Sequence, residues 1–217
     1  MKAAEVLERI CRELAPDGPG NRLVPLVEEG RAPREVIAAL AAEEWQIVPS
    51  DRRSFLVLAA RSSTPAAVEF YSALAQGEGL ALAKLPALAF ASGMDRAGLD
   101  AYEPLAGCQA YPSYVARLAL GADPADVILA ILANFAAWGG YCSRLSVAPR
   151  GRYGYDDEAC GFFDSFATPV PELEQQALDA VQAALDQGQP LRDAWRYGRL
   201  LQSYELMFWN TLADSVS

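Results

Sequence analysis

Three polar residues interrupt apolar stripes that otherwise read as buried helix faces. Glu205 sits in the stripe Trp195, Gly198, Leu201, Glu205, with Phe208 or Trp209 and then Leu212 beyond it. Its flanks are Tyr204, Leu206, Met207, Phe208 and Trp209, so almost any rotation of the helix buries it. Asn134 lies in the stripe Val127, Ile131, Asn134, Trp138, Tyr141, and Glu44 lies between Leu40 and Val48 at helical spacing. A carboxylate is expensive to bury alone, so such a residue is paired, neutralised or facing a pocket. Three of them on three helices point to an internal polar cavity, where helical bundles build ligand sites. Plainer readings stand beside this one: Glu44 as a solvated rim residue next to Glu43, and Asn134 as a donor to a facing backbone carbonyl.

Aromatic residues are dense around these positions. Trp45, Tyr111, Tyr114, Phe135, Trp138, Tyr141, Tyr204, Phe208 and Trp209 are of the type that stacks on a planar heteroaromatic ligand, or simply packs a core. The chain has 0 His. That excludes a Ser-His-Asp triad, a Cys-His dyad and an imidazole base. It equally excludes a haem on a proximal His and the Glu-x-x-His di-iron sites of bundles. Chemistry here runs on Glu, Asp, Tyr, Cys, Lys or Asn, and the sequence calls for neither metal nor cofactor.

The elements that must position these residues follow a helical period. Ala3, Val6, Leu7, Ile10, Cys11 and Leu14 paint one face, and Pro16-Asp17-Gly18-Pro19-Gly20 ends that helix. A second helix starts at Pro33 and runs to Val48, with Ser50 as the next N-cap and Asp51 to Arg61 as a separate helix. Thr64-Pro65 caps another, which Gly77-Glu78-Gly79 breaks. Leu80 to Ala91 is apolar and divided by Pro86. Asp95 to Tyr102 reads as a short helix and Pro112 to Leu120 as a longer one. Asp123-Pro124 opens a long apolar helix to about Val147, followed by a loop from Pro149 to Tyr155. Asp156 to Ser165, Pro171 to Gln187 (capped by Gly188) and Pro190 to Leu212 complete the set. No run alternates long enough to make a strand. The reading is an all-α, single-domain helical bundle over residues 1–217, with roughly eight to ten helices, residues 1–20 being an N-terminal helix and loop.

The composition sets the class. Of 217 residues 52% are hydrophobic and 21% charged, which excludes disorder and supplies a sizeable core. The net charge of −10 argues against nucleic acid and against anionic membrane. Val127 to Ser143 carries no charge but spans only 17 residues and contains Gly139-Gly140, which fits a buried central helix better than a membrane span. Cys11, Cys108, Cys142 and Cys160 form no C-x-x-C pair, and Met1 to Leu14 is no signal peptide. Free thiols in the cytoplasm are the expectation.

The segment Ser203 to Ala213, SYELMFWNTLA, resembles the C-terminal signature of the TenA/thiaminase II family. In that signature a Tyr-Glu pair precedes Phe-Trp and usually an Asp, whose place Asn210 takes. Glu43-Glu44-Trp45 occupies the family's early Gln-Asp-Tyr position. Ile131 to Trp138 occupies the position of Leu-Leu-Pro-Cys-x-Trp-x-Tyr, and Phe162 to Ala167 resembles the helix that follows. The likeness spans roughly residues 21–213. It implies an all-α fold of the haem-oxygenase type, a metal-free site, and hydrolysis of thiamin or of its degraded aminopyrimidine. It implies Glu205 as acid/base and Glu44 as the acid that holds the ring. Asn134 stands where the family's nucleophilic Cys belongs, and Trp138 where a Tyr belongs. A subgroup lacking that Cys works through carboxylates, and this chain is most similar to it.

The site residues expected are therefore Glu205, Asn134 and Glu44 as catalytic, with Trp45, Tyr111, Tyr114, Trp138, Tyr141, Tyr204 and Phe208 around the substrate. The first functional reading is a hydrolase of C–N bonds in a small aminopyrimidine-like heteroaromatic. The alternatives are a relative recruited to another reaction in specialised metabolism, and a non-catalytic ligand-binding or regulatory protein. The resemblance further implies a homo-oligomer, a dimer or tetramer.

Overall fold

A computed structural model describes residues 2–15 and 20–216. The expected loop at Pro16–Pro19 lies outside the described residues. Among the described residues eleven helices follow one another: α1 (Ala3–Glu13), α2 (Leu23–Glu28), α3 (Arg34–Arg61), α4 (Pro65–Leu82), α5 (Leu85–Ala91), α6 (Arg96–Ala101), α7 (Ala106–Gly121), α8 (Pro124–Tyr153), α9 (Asp157–Ala167), α10 (Pro171–Asp186) and α11 (Ala194–Asp214). No strand occurs among the described residues.

The helix starts are set by side chains that accept otherwise orphaned backbone N–H groups. Thr64 Oγ1 accepts from Ala67 N at 3.3 Å, Asp123 Oδ1 from Ala125 N at 2.9 Å and Asp156 Oδ1 from Ala159 N at 2.9 Å. Proline at the first position follows the first two caps, as the sequence predicts. Gly154 and Gly188 end α8 and α10 with φ of +70° and +78°, a conformation that glycine takes without strain.

Four breaks expected from the sequence are absent. α3 runs through Pro49, α4 through Gly77 and Gly79, and α7 through Pro112. α8 continues over residues 149–153, where a loop was expected. An interior proline costs about 3 kcal/mol. Packing on both sides of Pro49 offsets it: Ile47, Val48, Phe55 and Leu58 are all buried. The last turn of α8 is held by Arg150, which pairs with Asp157 and Asp164 at 2.8 Å each, and by Arg34, which donates to the Tyr153 carbonyl. The apolar stretch at Leu80 to Ala91 does divide, at Ala83-Lys84, and Pro86 falls in the first turn of α5. The six-residue α2 had no periodic signal to announce it.

Two hydrophobic clusters fill the bundle. One joins α1, α4, α10, the start of α8 and the second half of α3. The other joins α2, α5, α9, the first half of α3 and the ends of α8 and α11. α3, α8 and α11 are long enough to run through both. Glu44, Asn134 and Glu205 each interrupt one of these helices near its middle, at the seam between the clusters. The central helix α8 is long and apolar enough to cross a membrane, but Val127 to Ile131 are at most 1% exposed and pack inside the bundle. Gly139 allows a close approach, since a Cβ there would sit 3.3 Å from the Phe166 carbonyl of α9, whereas Gly140 faces open space.

Candidate active site

A narrow cleft with about 50 Å³ of free space opens at that seam. α3 contributes Glu44, Ile47, Val48, Asp51 and Phe55, all on one face over three turns. α4 contributes Glu78 and α7 contributes Tyr111. Asn134, Phe135 and Trp138 come from α8, Phe166 from α9, and Glu205 with Phe208 from α11. Trp138 meets Phe166 edge-on at 5.7 Å, so the two rings line one wall.

One hydrogen-bond chain crosses the floor. Tyr111 OH donates to Asn134 Oδ1 at 3.0 Å, Asn134 Nδ2 donates to Glu205 Oε2, and Trp209 Nε1 donates to Glu205 Oε1 at 3.1 Å. Both Glu205 oxygens are thus engaged although the residue is only 5% exposed. Burial pushes its carboxyl up to about 7, and the bonds from Trp209 and Asn134 pull the other way. A carboxyl near 7 exchanges protons in both directions at neutral pH. The orientation of Asn134 follows from its neighbours: turned over, it would set an oxygen against a Glu205 oxygen. One of its two N–H bonds is engaged by Glu205. Burial and the carboxylates of Asp51, Glu205, Glu78 and Glu44 raise the Tyr111 phenol well above its ordinary value, so it remains a donor.

The other carboxylates are less well supplied. Burial raises Glu44 well above the usual carboxylate range, with Asp51, Glu43 and Glu205 adding repulsion. Burial pushes Asp51 to about 8. Glu78, half-buried, is also raised, by burial and by Asp51 and Glu44. A neutral carboxylic acid offers one donor and one acceptor side by side, which matches the edge of a heteroaromatic amine.

Of the expected site residues, Glu205, Asn134, Glu44, Tyr111, Trp138 and Phe208 converge here. Four do not. Trp45 turns outward beneath the Arg96 guanidinium, 4.5 Å from its ring centre. Tyr114 and Tyr204 pack on each other at 5.2 Å in the neighbouring cluster. Tyr141 lies edge-on to Trp209 at 5.6 Å and lines a separate hollow on the far side of Glu205. Asp51 and Glu78 were missed. Asp51 lies seven residues after Glu44, hence on the same helix face, but only if the helix passes Pro49. Glu78 joins the wall only if α4 passes its flanking glycines. No cysteine lines the cleft among the described residues. Cys142 is buried, and burial with Glu44 and Glu205 keeps it a thiol.

The architecture matches solved structures. A TenA homologue from P. horikoshii OT3 superposes with a TM-score of 0.69 at 14% identity, covering 97% of this chain and 95% of that one. A TenA family transcription regulator from Silicibacter sp. TM1040 gives 0.72 at 16%, covering 98% and 96%. A domain of unknown function with a haem oxygenase-like fold from Shewanella denitrificans OS217 gives 0.67 at 13%, covering 99% and 88%. The fold is therefore of the haem-oxygenase type. Among curated proteins none matches the sequence. The family model for TENA/THI-4/PQQC proteins matches residues 22–215, and with its helical order and its Tyr-Glu…Phe-Trp helix in place the chain belongs to that family.

Proposed function

We propose that the protein hydrolyses a C–N bond of a small aminopyrimidine-like heteroaromatic, by carboxylate acid/base catalysis in the cytoplasm. The observation that carries this reading is Glu205, held between Asn134 and Trp209 at the floor of an aromatic cleft with a carboxyl near 7. Ionised Glu205 takes a proton from water as the oxygen attacks the ring carbon. Protonated Glu205 then returns the proton to the departing amine as the C–N bond breaks, so that the ring amine and water give a ring hydroxyl and ammonia. The free N–H of Asn134 faces the charge that develops on the reacting group. Glu44 holds the amidine edge of the ring, and Trp138 and Phe208 flank its faces.

Mass spectrometry of a panel of aminopyrimidines incubated in oxygen-18 water tests this. Wild type should release ammonia with incorporation of the heavy oxygen, and Glu205→Gln should lower turnover by about a hundredfold or more. Unchanged turnover in Glu205→Gln, or none in wild type across the panel, overturns it. The Silicibacter relative is described as a transcription regulator, but direct DNA contact needs a basic surface and this chain carries −10.

A further inference from the structure

The cleft contains more carboxylate than the proposed reaction uses. The titratable groups lining it are Glu44 and Asp51 from α3, Glu78 from α4, Tyr111 from α7 and Glu205 from α11; α8 and α9 supply Asn134 and rings. No Lys or Arg lines it among the described residues. Arg52, next to Asp51, faces Gly79 of α4 instead, with Nε 3.8 Å from where a Cβ there would be.

Asp51 is 95% buried by its 5% exposure, and its Oδ1 has no hydrogen-bond partner. Of the five buried side-chain atoms without a partner among the described residues, it is the one that belongs to a carboxylate. Buried Glu43 is fully engaged, accepting from Tyr102 OH at 3.0 Å, Leu105 N at 2.6 Å and Gln109 Nε2 at 2.7 Å. Buried Asp126 accepts from Asp193 N and Ala194 N at 3.2 and 3.0 Å. A buried polar atom left unpaired is costly, so an orphan in a cleft wall suits a ligand that supplies the missing donor. Asp51 stands two turns from Glu44, about 10 Å along α3. Glu78 lies near enough to Asp51 for the two to repel. Phe55, one turn further on the same face, offers a ring beside them.

We propose that Asp51 and Glu78 form a second anionic subsite, which takes a cationic nitrogen of the substrate while its ring lies over Glu44 and Glu205. The substrate is then a heteroaromatic amine with an ammonium-bearing arm, or an aromatic diamine. This rests on the same cleft being the substrate site. In the free protein burial favours a proton on Asp51, which the incoming cation displaces.

Calorimetry with p-xylylenediamine, its meta isomer and the monocationic p-ethylbenzylamine tests the subsite, in two buffers of different ionisation enthalpy. Wild type should bind at least one diamine about tenfold tighter than the monoamine, since one charged hydrogen bond is worth that much. It should also release more protons on binding the diamine. Asp51→Asn should abolish both differences and Glu78→Gln should reduce them; Glu205→Gln should keep them. Equal affinity for all three amines in wild type, or an advantage that survives in both Asp51→Asn and Glu78→Gln, overturns the subsite. Diamine selectivity without turnover of any aminopyrimidine would sink the hydrolase reading and leave the subsite standing. Turnover without selectivity would do the reverse.

Discussion

Asn134 donates its side-chain amide to Glu205 across 71 residues of sequence, tying the middle of α8 to the middle of α11. Trp209 holds the other carboxylate oxygen from one turn along α11. The pair sets the proton affinity of the group on which the proposed reaction depends.

The pH profile of turnover should report that setting. Water activation needs Glu205 ionised, so kcat should rise with pH to a limb near 7. Trp209 stabilises the ionised form. Trp209→Phe should therefore move the limb to higher pH, while a purely structural role for Trp209 would lower kcat without shifting the limb.

Tyr111 fixes which way Asn134 points. Tyr111→Phe leaves Asn134 Oδ1 without its donor at 3.0 Å. Loss of one such bond is worth about 1 kcal/mol, so kcat should fall about fivefold, with a smaller change in KM. Steady-state kinetics on the best substrate checks this.

Asp51 should make the protein less stable as pH rises. Its folded carboxyl is raised from 3.8 to about 8, so between those values the folded state binds a proton that the unfolded chain has released. That contribution is fully present below 3.8 and is lost as pH rises through about 8, with a slope of at most about 1.4 kcal/mol per pH unit. Asp51→Asn should raise the Tm at pH 8 and leave it nearly unchanged at pH 4. Thermal melts at both pH values decide it.

Gly139 and Gly140 should respond oppositely to the same change. Gly139→Ala drives a Cβ to 3.3 Å from the Phe166 carbonyl, a backbone atom that cannot turn aside. It should destabilise by about 1 kcal/mol or more and disturb the Trp138–Phe166 wall. Gly140→Ala meets nothing within 4 Å and should stabilise by about 0.5–1 kcal/mol. Urea denaturation of the two variants gives the comparison.

The three polar interruptions were legible because each broke a long, regular stripe, and the structure brings all three to one cleft. Asp51 and Glu78 were hidden by their neighbours. Pro49 and the pair Gly77 and Gly79 carry local breaking tendencies of about 3 and 1 kcal/mol, which packing in α3 and α4 overrides. Local propensity contains no information about that packing. Four of the expected aromatics lie outside the cleft for a different reason. Trp45 and Tyr204 adjoin Glu44 and Glu205 in sequence, but one residue is 100° around a helix, enough to leave the cleft. Tyr141 shares the face of Asn134 but lies two turns along, beyond the end of the chamber.

The bonds of Glu43 have a mechanical consequence. Tyr102 and Leu105, between α6 and α7, and Gln109 of α7 grip this side chain while Glu44, the next residue, enters the cleft. Together they lock the azimuth of α3 as a key is held in a slot. These bonds oppose rotation of α3 about its axis, and with it any change in the aim of Glu44.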